Sequence, residues 1–278
     1  MDKTDKFKAV WLSHSSIADF LNCPRKYYLR AIYKDPINNH KITQVTPALS
    51  RGQVIHSVLE SLSTLPSEVR FNTPLTETLE REWVKISGKV GGFRSTEEEA
   101  RYKAESIEMV KKVMDNPGPL AQKAIKIKES LPHYWLSEDE GLILSGKIDW
   151  LIYDEKSDGV KILDFKTGKN EEDESSLQLP IYQLIVKNTQ SREVTGAYYW
   201  YLYHDSAPKE VALANTEETR EEVLTIGRRI KLARQLGHFV CPNGSQGCKH
   251  CAPLEAIKNG RGEKVGVSEY KQDLYVLN

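Results

Sequence analysis

Two segments, Gly146-Lys147-Ile148-Asp149-Trp150-Leu151-Ile152-Tyr153 and Val160-Lys161-Ile162-Leu163-Asp164-Phe165-Lys166, decide how this chain is read. Both are rich in β-branched and aromatic residues, and Asp154-Glu155-Lys156-Ser157-Asp158-Gly159 between them is turn chemistry, so together they read as an antiparallel hairpin. In such a pair the numbers of opposing residues sum to a constant. A turn centred between Lys156 and Ser157 sets Asp149 opposite Asp164, with Cβ atoms about 5 Å apart on one face. Lys166, two residues further on, shares that face. Facing carboxylates repel unless a cation lies between them, and a hard divalent ion such as Mg²⁺ suits an all-oxygen pair. A lysine beside the ion can orient a water or stabilise a phosphoryl oxyanion. The plain alternative is a solvated strand, since Asp-x-Lys is common there and a one-residue slip in register would part the two acids.

With 278 residues the chain can bury a substantial core in one large domain. Charged residues at 28% and hydrophobics at 39% are ordinary for a soluble globular protein. The 39 basic residues are balanced by 39 acidic ones, so a nucleic-acid contact must come from local patches and not from a global field. Met1-Asp2-Lys3-Thr4-Asp5-Lys6 lacks the apolar run of a signal peptide, and no stretch approaches the ~20 apolar residues of a membrane helix. The expectation is a cytoplasmic protein without a membrane partner. No G-x-x-x-x-G-K-[ST] occurs, so no ATP-driven motor is encoded.

Ser13 or Ser15 caps a short helix carrying Ile17, Phe20 and Leu21, and Cys23-Pro24 opens a second through Tyr27, Leu29 and Ile32. Residues 34–47 read as a loop. A helix from Leu49 to Leu65 places Gly52, His56 and Glu60 on one stripe, and Ser95 starts a long charged helix ending before Asn116-Pro117. From Ile125 to Tyr203 the chain reads mostly as strand, with a hairpin from Tyr134 into Leu142-Ile143-Leu144 that runs on into the Asp149 segment. A helix from Ser176 to Lys187 tolerates Pro180 in its first turn. Asn215-x-x-Glu218 resembles a capping box and opens a helix that stops at Leu236-Gly237. The fold class is therefore α/β (α+β): a central mixed sheet flanked by helices, a helical N-terminal region and a cysteine-rich tail.

Gln178 and Tyr182, one turn apart on the helix after the hairpin, form a polar pair suited to a phosphate or a water; the plain reading is a half-buried tyrosine beside an exposed glutamine. His56 can bind a metal through one nitrogen, although a single histidine on an apolar helix is more often a satisfied boundary residue. Cys241-x6-Cys248-x2-Cys251 places three thiols in a Pro/Gly/Ser-rich loop, and Cys23 would supply a fourth. Four thiolates in a reducing compartment suit Zn²⁺ or a [4Fe–4S] cluster rather than disulfides. Such a site would staple the two ends of the chain. Basic-aromatic runs at Arg25-Lys26-Tyr27-Tyr28-Leu29-Arg30 and Arg228-Arg229-Ile230-Lys231-Leu232-Ala233-Arg234 could hold a phosphate backbone or simply be solvated.

Taken in order, Leu12-Ser13-x-Ser15 with Cys23-Pro24-Arg25-x-Tyr27-Tyr28, Gly52-x3-His56-x2-Leu59-Glu60, Gly146-x2-Asp149, Asp164-x-Lys166-Thr167-Gly168 and Gln178-x3-Tyr182 resemble the motifs of the RecB-like branch of the PD-(D/E)XK nuclease superfamily. The resemblance covers nearly the whole chain and implies a restriction-endonuclease-like core. It implies that His56, Asp149, Asp164 and the Phe165 carbonyl bind Mg²⁺ or Mn²⁺. It further implies that Lys166 is the catalytic lysine, with Gln178 and Tyr182 assisting. Cys23, Cys241, Cys248 and Cys251 are similar to the [4Fe–4S] set of AddB-type and CRISPR-associated adaptation nucleases, although here the longer gap precedes the Cys-x2-Cys. The single domain 1–278 then divides into a helical region 1–124, a catalytic sheet core 125–205 and a C-terminal helix with the cysteine loop, 206–278. The expected function is a metal-dependent exonuclease on single-stranded DNA or DNA ends, a free-standing module whose partners would be DNA and a helicase or integrase. Rival readings are a nuclease that trims DNA before CRISPR integration and a catalytically silent DNA-binding scaffold.

Overall fold

The computed structural model describes residues 5–125, 129 and 131–277. In chain order the elements are β1 (Val10–Leu12), α1 (His14–Asn22), α2 (Pro24–Tyr27), β2 (Lys41–Gln44), α3 (Pro47–Ser61), α4 (Leu75–Trp83) and α5 (Thr96–Asp115). Then come β3 (His133–Ser137), β4 (Leu142–Ser145), β5 (Trp150–Asp154), β6 (Gly159–Lys166), α6 (Gln178–Thr189), β7 (Val194–Tyr201) and β8 (Lys209–Val211). The chain closes with α7 (Thr216–Leu236), α8 (Ala252–Lys258), β9 (Glu263–Val267) and β10 (Gln272–Val276). The result is an α/β fold with mixed sheets flanked by helices, consistent with a restriction-endonuclease-like core.

The principal sheet has the order β5-β6-β7-β8. Its first pair is the hairpin expected from the sequence. Trp150 faces Leu163 and Leu151 faces Ile162, which is the register that sets Asp149 opposite Asp164. β6 and β7 are parallel, joined by the α6 crossover. Alternation along the strands explains why the register does not slip. Trp150, Leu163, Phe165 and Trp200 point to one core with α3, α4 and α5, whereas Leu151, Ile162, Ala197 and Tyr199 point to another with α6 and α7. Trp150 and Trp200 are almost fully buried, and burying side chains of that size contributes roughly 2–3 kcal/mol each. A one-residue slip would exchange the two cores and lose this packing. Asp149 and Asp164 therefore share the face that looks toward α6.

Two expectations are corrected, and one unassigned segment gains a structure. The strand from Leu142 does not run on into Asp149. β4 pairs with β1 and β3 in a separate sheet, and the chain leaves it at Gly146 to enter the principal sheet at Trp150. The break follows from a close crossing: a Cβ on Gly146 would lie 2.9 Å from Ile185 Cδ1 and 3.1 Å from Tyr182 Cε1 on α6. Residues 34–47 are not only loop, because β2 within them pairs in parallel with β10. The segment after the cysteines, which the sequence left unassigned, folds as α8 and the β9-β10 hairpin. Buried Asp273 ties this third sheet together, held by Asn38 at 2.7 Å, His40 at 2.8 Å and Lys264 at 2.8 Å. Burial would raise its pKa, but those three partners hold it down at about 2. A parallel strand drawn from opposite ends of a chain leaves no local pattern to read.

The helix termini agree with their capping chemistry. Ser13 caps α1 in a reciprocal box with Ser16, and the Asn215 side chain accepts from the backbone of Glu217 and Glu218. Pro180 falls in the first turn of α6, where its missing N–H costs nothing. Cys23 occupies the cap position of α2 without using its side chain there. Among the described residues no helix is long and apolar enough to cross a membrane.

Candidate nuclease active site and thiol centre

At the end of the principal sheet, where β6 leaves it and β5 has not yet begun, a hollow of about 390 Å³ is lined by His56, Lys147, Asp149, Asp164, Lys166, Gln178 and Tyr182. The hairpin contributes the acids. Asp149 Oδ2 accepts a hydrogen bond from the Phe165 N–H at 3.0 Å, which fixes that carboxylate against the end of β6. The Phe165 side chain lies in the opposite core, so only its backbone faces the hollow. α3 brings His56, whose Nδ1 lies 3.1 Å from Asp149 Oδ1. α6 brings Gln178 and Tyr182. The Gln178 amide donates to Asp164 Oδ1 at 2.9 Å and to the Tyr182 hydroxyl at 3.2 Å, and its oxygen accepts from Lys166. The structure thus places His56, Asp149, Asp164, Phe165, Lys166, Gln178 and Tyr182 at one site. Of the Gln178–Tyr182 pair, Gln178 bonds Asp164 and Lys166, and Tyr182 accepts from Gln178.

The electrostatics of the hollow favour a cation. Asp164 is 2% exposed. Its Oδ2 is buried without a well-aligned hydrogen bond among the described residues, although Lys166 Nζ lies 3.0 Å away. Burial pushes its carboxyl up to about 7, and the charge of Asp149 pushes the same way against Lys166 and His56. Burial works to lower the His56 pKa, yet the hydrogen bond and charge of Asp149, with Asp164 and Glu60 behind, raise it above the usual imidazole value. Lys166 behaves alike, with Asp164 and Glu172 outweighing burial to raise it. A buried carboxyl pushed upward for want of positive charge, facing a second carboxylate and an imidazole, belongs to a donor set suited to a hard divalent ion. Glu60 adds a further carboxylate. With His56 and Asp149 it offers ligand atoms all within 4.8 Å of one another, and Lys147 lies 2.6 Å from its Oε2.

The motif order and this geometry agree with the comparison of the chain to known families. The family model of the PD-(D/E)XK nuclease superfamily matches residues 11–255. This chain belongs to the PD-(D/E)XK nuclease superfamily. No curated protein matches it. Superfamily membership makes it a nuclease that works with a divalent metal.

The four cysteines form a second centre. Cys23, Cys241 and Cys251 are buried and Cys248 half-buried, with all four Sγ atoms within 4.8 Å of one another. Cys248 and Cys251 are 3.8 Å apart, as are Cys251 and Cys241. The loop is shaped for this. Gly247 adopts φ +75°, and a Cβ there would lie 3.3 Å from Cys251 Sγ. Burial raises the Cys23 thiol to about 12. Burial also opposes ionisation of Cys248, but the backbone N–H groups of Cys251 and His250 and the neighbouring thiols bring it down to about 7. A thiol poised to ionise among three others is the chemistry of a metal site.

The basic runs look different in three dimensions. Arg25 pairs with Glu255, Lys26 and Arg30 share Asp19, and Arg228 pairs with Glu140. Tyr27 is buried and Tyr28 stacks on Phe239 at 5.2 Å. Much of their charge is thus used inside the protein. Two residues went unread in the sequence. Buried Arg51 bonds Glu105 at 2.6 Å and donates to the Thr167 carbonyl at 2.7 Å, holding the turn that follows Lys166. Glu172, in the acidic loop between β6 and α6, lies 3.1 Å from Lys166 Nζ. Neither belongs to a motif, so no sequence signal marked them.

Proposed function

We propose that this nuclease is a Mg²⁺- or Mn²⁺-dependent deoxyribonuclease of the RecB-like branch, an exonuclease acting on single-stranded DNA or DNA ends in repair or recombination. The observation that carries the reading is the convergence of two facing aspartates, a histidine and a lysine on one hollow. His56, Asp149, Asp164 and the Phe165 carbonyl would hold the ion. When bound, it supplies an activated water and offsets charge on the scissile phosphate. Lys166 donates from its ammonium to the phosphoryl oxygen on which charge builds. Gln178 keeps Asp164 and Lys166 in fixed relation, because its amide offers N–H to the carboxylate and oxygen to the ammonium, and Tyr182 stops it from turning. A second hollow of about 490 Å³ shares Lys147 and Asp149 with the first and carries the hydroxyls of Ser57, Ser61, Ser63 and Thr64, leaving room for sugar and phosphate beside the scissile bond.

For the thiol centre the resemblance carries a [4Fe–4S] cluster, whereas the sulfur spacing supports a single ion. Bonds of about 2.3 Å from zinc set tetrahedron edges of about 3.8 Å, the separation seen for two of the sulfur pairs. A cubane, with irons and sulfides inside the thiolate tetrahedron, needs the sulfurs to open outward. We therefore favour structural Zn²⁺. Anaerobic purification decides: a colourless protein with one zinc supports this reading, and a brown protein absorbing broadly near ~400 nm overturns it.

The nuclease reading is tested with labelled linear, circular and single-stranded DNA incubated with Mg²⁺ or Mn²⁺. Degradation of linear and single-stranded forms is expected, with Asp164→Ala and Lys166→Ala inactive. Full activity in either folded variant refutes the site, and circles cut as readily as ends refute the exonuclease assignment.

A further inference from the structure

The ammonium of Lys166 has three N–H donors, and three side-chain oxygens surround it. Asp164 Oδ2 lies at 3.0 Å, Glu172 Oε1 at 3.1 Å, and Gln178 Oε1 accepts from it. The ring of Tyr199 closes another side, 5.0 Å from Nζ to its centroid. The three acceptors are not equivalent. Asp164 is the carboxylate that a cation needs, while Gln178 is a neutral amide already tied to Asp164 and Tyr182. Glu172 comes from the loop between β6 and α6, yet it is firmly placed. Its own N–H donates to the Tyr201 hydroxyl at 3.1 Å, Ser176 Oγ donates to its second carboxylate oxygen at 3.2 Å, and neighbouring Glu171 pairs with Lys209 at 2.6 Å.

We propose that Glu172 is a positioning residue for Lys166, an inference that rests on the nuclease reading above. Donors on an ammonium are staggered, so fixing two of them on Gln178 and Glu172 fixes the direction of the third. That third donor lies on the side of Asp164, whose Oδ2 is 3.0 Å from Nζ without a well-aligned hydrogen bond, and it is left for substrate when Asp164 serves the cation. Glu172 also draws Lys166 away from Asp164. Without it the ammonium keeps one carboxylate, closes on it, and competes with the cation for the same oxygen.

The test uses the full chain carrying Glu172→Ala or Glu172→Gln, each alone and combined with Lys166→Met, with melting temperature as the check on folding. Mn²⁺ affinity is measured by calorimetry without DNA. Glu172→Ala is expected to weaken Mn²⁺ binding by about three- to tenfold in the natural background and to leave it unchanged beside Lys166→Met, because coupled residues are non-additive. Equal weakening in both backgrounds overturns the proposal, since it would mean a direct charge effect, and so does no weakening in either. In cleavage assays Glu172→Ala is expected to lower kcat by roughly tenfold or more with KM nearly unchanged, as loss of an interaction made in the transition state does. Glu172→Gln, whose amide oxygen still accepts from the ammonium, is expected to recover much of kcat. A loss confined to KM, or no recovery with Gln, overturns it. If the unsubstituted chain cleaves no DNA, the nuclease reading fails while the calorimetric cycle still judges the role of Glu172.

Discussion

Lowering the pH should expel a divalent ion from the Asp149–Asp164 pocket well before the protein unfolds. Burial, assisted by the charge of Asp149, holds the Asp164 carboxyl at about 7 where the ordinary value is 3.8. A cation takes only the ionised carboxylate, so below about pH 7 each binding event must release a proton, and affinity falls about tenfold per pH unit. Between pH 8 and pH 5 the ionised fraction drops to about one in a hundred, so the dissociation constant should rise about a hundredfold. His56 steepens the slope below its own raised pKa, because only the neutral imidazole can bind a metal. The measurement is Mn²⁺ titration calorimetry on DNA-free protein across that range, repeated in two buffers of different ionisation heat to count protons. Release of about one proton or more at pH 6 is expected, and Asp164→Asn should flatten the dependence. A dissociation constant that does not change from pH 5 to pH 8 would refute the claim that the cation competes with a proton for Asp164.

Asp164→Asn should abolish cleavage yet stabilise the metal-free protein above neutral pH. The folded carboxyl keeps its proton to about pH 7, while the unfolded one loses it near 3.9, so between those values the folded state binds more protons and its stability falls as pH rises, by at most about 4 kcal/mol. Thermal melts at pH 8 with chelator check this, and a lower melting temperature for the variant would contradict it. Cys251→Ser, or stripping the thiol centre with a strong chelator, should sharply lower the melting temperature. A link between Cys23 and Cys241 constrains a very long loop of the unfolded chain, an effect of about 5 kcal/mol on the loop-entropy model; an unchanged melt would show that the thiols carry no metal. Gly146→Val should cost about 1–3 kcal/mol through overpacking and should lower kcat, because the added atoms meet Tyr182 and Ile185. Denaturant melts combined with kinetics test it, and normal kcat would mean that α6 does not need this close approach.

The hairpin was legible because a strand pair with turn chemistry at its centre is a local object. Alternating apolar residues fix its register, and register alone brings Asp149 to Asp164. The same holds for the capped helices and for the stripe carrying His56. Where the strand from Leu142 ends was not legible, since apolar strand-forming residues stand a few positions to either side of Gly146 and only the crossing of α6 forces the break. β2 and β10 were equally hidden, as each is a short strand without clear alternation whose parallel partner comes from the other end of the chain.

By itself the sequence determined which groups could do chemistry: the acids, lysine, histidine and thiols, their order, and the spacing along each element that puts them on one face. Only the tertiary structure decided what those groups do to one another. It showed that Gln178 serves Asp164 and Lys166, that Glu172 shares the ammonium, that much of the basic runs' charge is neutralised by partners far away in sequence, and that the thiols of Cys23, Cys241, Cys248 and Cys251 meet within 4.8 Å of one another. The physical reason is range. Capping, alternation and turn formation act over a few residues and leave a pattern in the chain, whereas burial, charge pairing and metal coordination depend on distances that exist only once remote segments have packed.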